Sequence, residues 1–129
     1  MTPTAYAQHY RTITTQTASQ GQLLLQLYQG AMKQIGQARV AIESNDPAAA
    51  HHHIMRAQDI VQELHHTLDH KQSPELAGRL AALYSYFRQR LIAANIQKDV
   101  QPLDEILGML RQLHGAWQTA VRQTTRQAS

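Results

Sequence analysis

The stretch SQGQLLLQLYQGAMKQIGQARVAIESNDP, residues 19–47, decides the fold because it holds one complete amphipathic helix and its end signal. Ser19 suits a helix N-cap, and Gln22 three residues later completes a capping box. Asp46 and Pro47 suit the cap and the first position of a second helix, where a missing proline N–H costs nothing. Between these signals, apolar residues recur at spacings of three and four, as one helical stripe requires. That predicted stripe is Leu24, Leu27, Tyr28, Ala31, Ile35, Ala38 and Ile42.

Two further breaks divide the rest of the chain. Ser73, Pro74 and Glu75 repeat the order of cap, proline and acidic first turn, which suits a helix N-terminus. Asp99 is the expected cap of a fourth helix, with Pro102 inside its tolerant first turn. The predicted stripes are Ala50, Ile54, Ala57, Val61, Leu64 and Leu68 in the second helix; Leu76, Leu80, Leu83, Tyr84, Phe87, Leu91 and Ala94 in the third; and Leu103, Ile106, Leu107, Leu110, Leu113, Trp117 and Val121 in the fourth.

Four amphipathic segments joined by short connections predict an all-α fold, an antiparallel four-helix bundle. The bundle is expected to span residues 19–129, with a polar tail that frays after Val121. Residues 1–18 are rich in Thr and Gln and show no sustained apolar period. They predict an N-terminal arm that is mobile unless it docks on the bundle.

Composition narrows the class of protein. The chain has 129 residues, enough for one domain, and it contains no cysteine. No apolar run approaches the roughly 20 residues of a membrane span, and no signal peptide precedes the bundle, so we expect a cytoplasmic protein without membrane insertion. The net charge is +3 and the pI about 9.5, but the cations are dispersed among carboxylates. Nucleic-acid binding is therefore not predicted.

The histidines do not predict a metal site. His51, His52 and His53 are consecutive, so on a helix they point about 100 degrees apart. Glu63, His66 and His70 have better spacing, but the other helices place no matching ligands opposite them. The sequence also has no nucleophile elbow and no phosphate-binding glycine loop. We therefore expect no catalytic residue, no metal and no cofactor.

The chain carries more apolar surface than one core seam needs. Leu23, Leu25 and Met32 in helix one lie well to the side of its stripe, as do Tyr86 and Ile92 in helix three. A contiguous set of such residues marks an interaction surface. Two interpretations stay open on this pattern: a groove that binds a partner helix, or an ordinary core with self-association.

Three regions of the sequence resemble the flagellar export chaperone FliS family. The first is Ala5-Tyr6 with Tyr10, and the second is Gln16-Thr17-Ala18-Ser19 leading into LLLQLYQGAM, residues 23–32. The third runs from helix three into helix four and comprises Leu83-Tyr84-Ser85-Tyr86, Arg90-Leu91-Ile92, Ala94-Asn95, Asp99, Leu103 and Ala116-Trp117. Gln20 and Gln29 depart from residues common in the family, and so does the basic pI.

The resemblance implies a cytosolic export chaperone. Such a bundle would bind the disordered C-terminal segment of flagellin, prevent its premature polymerisation and deliver it to the export gate of the flagellar type III apparatus. It would also let the N-terminal arm, with Tyr6 and Tyr10, cover the groove when no partner is bound, and a homodimer is possible in the free state. The remaining residues expected to border the peptide groove are Leu23, Leu27, Tyr28, Leu83, Tyr86 and Asn95. The alternative is a self-associating regulatory or structural bundle that does not bind flagellin.

Overall fold

The computed structural model describes residues 20–128, which form four α-helices and no strand. The helices are α1 (Gln20–Glu43), α2 (Pro47–His66), α3 (Pro74–Gln97) and α4 (Val100–Ala128). The predicted all-α bundle is thus confirmed, and α4 continues past Val121, beyond the end of its predicted apolar stripe. The expected arm, residues 1–18, and the Ser19 cap lie outside the described residues. Within residues 20–128, no helix combines the length and apolar character needed to cross a membrane.

The three testable cap residues all lie directly before a helix, as predicted. Asp46 accepts a hydrogen bond from the backbone N–H of Ala49 at 3.1 Å, and Asp99 accepts one from Gln101 at 3.0 Å. Ser73 occupies the cap position of α3, but its side chain makes no capping hydrogen bond. The first-turn N–H groups of α3 therefore lack the side-chain acceptor that an N-cap normally supplies.

The helices run alternately up and down. Between α1 and α4, the side chain of Gln29 contacts His114, and Arg39 pairs with Asp104 at 2.7 Å. Residue numbers therefore increase along α1 while they decrease along the facing stretch of α4, so the two helices are antiparallel. Each helix packs against its neighbours in sequence, and α4 closes the square against α1. The diagonal helices meet only through side chains that cross the core.

The core follows the predicted stripes, although several stripe residues are only half-buried. Leu23, expected as surplus surface, is buried, and Ala41 is buried while Ile42 is half-buried. In α3, Ala77 is buried while Leu76 is 48 % exposed. The largest fully buried side chains are Tyr28, Ile35, Ile54, Val61, Leu64, Tyr84, Phe87, Leu91, Leu103, Ile106 and Leu110.

Two tyrosines join α1 to α3 through the centre of the bundle. The hydroxyls of Tyr28 and Tyr84 lie 2.6 Å apart, and the indole N–H of Trp117 donates to the Tyr28 oxygen at 3.2 Å. Burial raises the pKa of both phenols, so both stay neutral over the physiological pH range. Three polar groups from three helices therefore satisfy one another in the interior.

Contact is most extensive between α1 and α2 and least extensive between α3 and α4. Small buried residues, such as Ala31, Ala38 and Ala57, allow the first pair to approach. At Gly30 an added Cβ would lie 3.4 Å from Cδ1 of Ile60. The α3–α4 pair has larger residues at its interface, such as Leu80, Leu91 and Leu110.

Removing one hydroxyl from the central pair should destabilise the fold. In Tyr28→Phe, the Tyr84 hydroxyl and the Trp117 N–H lose a partner while buried, so we expect a loss of about 1–3 kcal/mol in unfolding free energy. Tyr84→Phe should cost a similar amount, and the double variant less than the sum of the two. Urea denaturation measures all three. Ser85→Ala, which removes a solvent-exposed hydroxyl from α3, is the control and should leave the midpoint nearly unchanged; strict additivity of the core variants would contradict the pairing.

Candidate functional site: an open apolar groove

A cavity of about 190 Å³ opens at the end of the bundle where the α2–α3 turn lies. Leu24 of α1, Leu76 and Leu80 of α3, and Trp117 of α4 form its apolar walls, and the ring of Tyr84 lies beside them. The turn residues Asp69, Gln72 and Ser73 supply a polar rim. An apolar hollow with a few polar groups at its mouth is the usual form of a binding site.

The sequence explains why the cavity stays open. Leu76 lies in the first turn of α3, directly after the break, so no preceding helical turn covers it. Trp117 is held with its N–H directed at Tyr28, which fixes the indole ring at the wall. The cavity wall is therefore tied to the buried tyrosine pair and is preformed rather than adaptable.

The apolar surface continues from the cavity between α3 and α4. Leu83 lies one turn from Leu80, and Leu113 lies one turn from Trp117; both are half-buried against the core, as is Met109. We call this strip the α3–α4 groove, formed by Leu76, Leu80, Leu83, Met109, Leu113 and Trp117.

A polar clasp of Tyr86, Arg90 and Glu105 closes the far end of the groove. One carboxylate oxygen of Glu105 accepts hydrogen bonds from the Tyr86 hydroxyl and from Nε of Arg90, each at 2.9 Å. The hydrogen bond from Tyr86 and then that from Arg90 lower the pKa of Glu105, and the same carboxylate raises the pKa of Tyr86. The clasp joins α3 to α4 at the surface.

The structure brings only some of the predicted site residues together. Leu83 lies in the α3–α4 groove, and Tyr86, 38 % exposed, lies at its end in the clasp. Asn95 lies on the opposite side of α3, where its amide meets Nδ1 of His51 on α2 at 2.9 Å. Tyr6 and Tyr10 lie outside the described residues. The binding roles of all these residues stay predictions.

The other predicted site residues are buried on α1. Tyr28 is fully buried beneath the cavity wall through its bond to Tyr84. Leu23 and Leu27 belong to the core, and Leu23 also borders a hollow between the start of α1 and the end of α2. These three side chains can support a groove but offer little surface to a partner while the bundle keeps this packing.

The apolar periodicity of the sequence predicts that the residues of the cavity wall belong to the core. Leu24, Leu76, Leu80 and Trp117 all fell on predicted core stripes. The stripe pattern cannot show that a core position near a helix end faces an unfilled space. The available signal was the place of Leu76 two residues after Pro74, in the first turn of α3.

The histidine arrangements form no metal site in the part of the chain that the structure describes. Nδ1 of His66 lies 3.8 Å from Glu63, but no group of three potential ligands converges among residues 20–128. His53 instead binds the side chain of Gln34 at 2.8 Å, and burial together with His52 and Arg56 lowers its pKa.

The fold and the groove define a four-helix bundle with a preformed apolar surface at one end. Comparison with known families identifies the group to which this bundle belongs: residues 2–124 match the family model described as flagellar protein FliS, and the chain is a member of that family. The flagellar secretion chaperone FliS of Bacillus subtilis (strain 168) is 37 % identical over 119 residues, 92 % of this chain and 85 % of the relative.

Relatives from other bacteria carry the same name. The flagellar secretion chaperone FliS of Salmonella typhimurium is 33 % identical over 114 residues, 88 % of this chain and 84 % of the relative. The Escherichia coli (strain K12) protein of that name is 30 % identical over 118 residues, 91 % of this chain and 87 % of the relative. The resemblance found in the sequence is thereby confirmed at the level of the family.

The hydrogen bonds of the clasp should change the acid titration of the Glu105 carboxyl. Because the folded pKa of Glu105 is depressed, its stabilisation is present above the ordinary value of 4.5 and is lost as pH falls through the folded pKa. Carbon-detected NMR should therefore find Glu105 titrating below the ordinary glutamate value of 4.5. Tyr86→Phe should move the Glu105 titration upward; an unchanged titration would show that the hydrogen bond does not form in solution.

Proposed function

We propose that this chain binds the C-terminal segment of flagellin in the cytosol, prevents its premature polymerisation and delivers it to the flagellar type III export apparatus. One observation carries the proposal: a member of the FliS family has a preformed, unfilled apolar groove between α3 and α4. Curated relatives over most of the chain are named flagellar secretion chaperones, which supports an export partner.

The dimensions of the groove favour a helical ligand. From Leu76 to Tyr86 the α3 backbone rises about 15 Å, the length of a helix of about ten residues. A ligand helix with apolar residues at positions i, i+4 and i+7 would reach the cavity, Leu83 and Leu113 in turn. A disordered segment that folds on this surface buries apolar area in exchange for its ordering entropy. Such coupled folding holds the segment while leaving it releasable at the export gate.

The N-terminal arm is proposed as the cover of the empty groove. Residues 1–18 lead into α1 at Gln20, and Leu24, one turn later, lines the cavity. The arm therefore starts at the correct end of the bundle, and Tyr6 or Tyr10 supplies an aromatic ring for the cavity. Displacement of the arm by flagellin would couple its release to binding.

Asn95 fits this proposal less directly than Leu83 or Tyr86. Its amide is engaged by His51, and its backbone and side-chain oxygens both accept from Lys98. A role in pairing with the backbone of an extended segment would require the His51 bond to open.

Calorimetry with the C-terminal segment of the host's flagellin tests the proposal. The full chain should bind it one to one with a large negative heat-capacity change, because coupled folding buries apolar surface. Leu76→Asp should weaken binding by tenfold or more, because a charge in the cavity must be desolvated against Leu80 and Trp117. Leu76 is 48 % exposed, so the variant should still fold.

Val40→Asp is the matched control. Val40 is 62 % exposed on α1 and does not line the groove, so the variant carries the same charge change elsewhere. Its affinity should equal that of the parent chain. Absence of binding by the folded parent, together with a stable dimer in sedimentation, would contradict the proposal and favour the self-associating bundle; equal losses in both variants would place the ligand outside the groove.

A further inference from the structure

A second apolar surface lies on the opposite side of α3, where α3 packs beside α2. The bond between His51 and Asn95 places these two residues at the same level of the antiparallel pair. Met55 follows His51 by one turn, and Ile92 precedes Asn95 by three residues, so they also fall at one level. Their exposed fractions are 42 % and 45 %, and Ile96, one turn further along α3, is 79 % exposed. We call Met55, Ile92 and Ile96 the α2–α3 patch.

Arg88 extends this patch by one turn along α3. It precedes Ile92 by four residues, so Arg88, Ile92 and Ile96 follow a single helical line. Nε of Arg88 is buried and has no hydrogen-bond acceptor among residues 20–128, and no carboxylate of that part of the chain forms an ion pair with it. The positive charge of Arg88 is therefore not neutralised by a carboxylate of the described bundle, and an acidic partner would complement it.

Arg90, two residues further along, shows the contrast. Its Nε is bound by Glu105 in the clasp on the other side of α3. The two arginines thus differ: Arg90 is paired with a carboxylate of the bundle, whereas Arg88 has no ion-pair partner among residues 20–128 and lies on one helical line with exposed apolar side chains. The patch, unlike the groove, is not covered by α1 or α4. It lies where α2 and α3 meet, and in the described bundle α2 packs only against α1 and α3.

We propose that the α2–α3 patch is a second docking surface for an amphipathic helix of another polypeptide. That helix carries a carboxylate one helical turn along from the apolar residues that contact the patch. The apolar residues of that helix would cover Met55, Ile92 and Ile96, and its carboxylate would accept from the guanidinium of Arg88. The preference for acid follows from charge complementarity with the unpaired arginine. In such a contact, the flexible side chain of Met55 can adapt to the shape of the partner, whereas the branched side chains of Ile92 and Ile96 are more rigid.

The patch and the α3–α4 groove lie on different sides of α3, one facing α2 and the other facing α4. Both surfaces can therefore be occupied at once, and the second partner would join a complex already formed at the groove. The inference goes beyond flagellin binding and does not depend on what fills the groove.

The experiment uses two synthetic amphipathic helical peptides with identical apolar positions, one with glutamate and one with lysine on the polar face. Fluorescence anisotropy with the full chain should show binding of the glutamate peptide and at least tenfold weaker binding of the lysine peptide. Arg88→Gln should remove this preference, and Ile92→Asp should abolish binding. Amide shifts from the glutamate peptide should map to α2 and α3 around Met55 and Ile92.

Two control variants separate this surface from other apolar sites. Leu76→Asp, in the groove, and Val40→Asp, on α1, should both retain the affinity of the parent chain for the glutamate peptide. Circular dichroism and thermal melting confirm that each variant is folded before titration. Equal affinity for both peptides, loss of binding in Leu76→Asp, or no binding at all overturns the proposal. So does a parent dimer that Ile92→Asp dissociates, because the patch would then be covered by a second copy.

Discussion

The buried hydrogen bond between Tyr28 and Tyr84 is the constraint on which the rest of the structure depends. It links the diagonal helices α1 and α3, which have no other close approach, and it receives the indole N–H of Trp117 from α4. Each of these polar groups would be costly if left alone in the interior, so the three helices are held in one relative position. That position sets the wall of the cavity, since the rings of Tyr84 and Trp117 both line it.

Unequal packing then produces a surface for binding. Small buried residues accompany the extensive contact of α1 with α2, whereas α3 and α4 make less contact with each other. A bundle with four equally close seams would bury all of its apolar surface and have none left for a partner. Here the clasp of Tyr86, Arg90 and Glu105 fixes α3 to α4 at one end while the other end stays open.

The periodicity of the sequence was sufficient for the four helices, their order and most of the core. Two of the caps followed from local chemistry alone, because an aspartate before a helix bonds to groups only two or three residues away. Ser73 shows the limit of that reasoning, since the same position in sequence does not guarantee the same side-chain rotamer. Tyr86 and Ile92 were correctly placed off the stripe, and both are exposed.

The site itself was less accessible to sequence analysis. Leu23 lies off the predicted stripe yet is buried, because the neighbouring α2 covers a wider arc of α1 than one seam implies. Leu76 and Trp117 lie on stripes yet line an open cavity, because the separation of helices is a property of the whole bundle. The family resemblance supplied the expected partner, but it could not distinguish which apolar residues support the core and which face the groove.

The absence of cysteine permits the most direct test of the central claim, that the α3–α4 groove holds the C-terminal segment of flagellin. Leu76→Cys, Leu83→Cys and Val40→Cys each place a unique thiol for a photoactivated crosslinker. After irradiation with the host's flagellin, mass spectrometry locates each crosslink. We expect positions 76 and 83 to crosslink to the flagellin C-terminal segment, and position 40 to give none. Crosslinks from position 40 alone, or from 76 and 83 only to a second copy of this chain, would contradict the account.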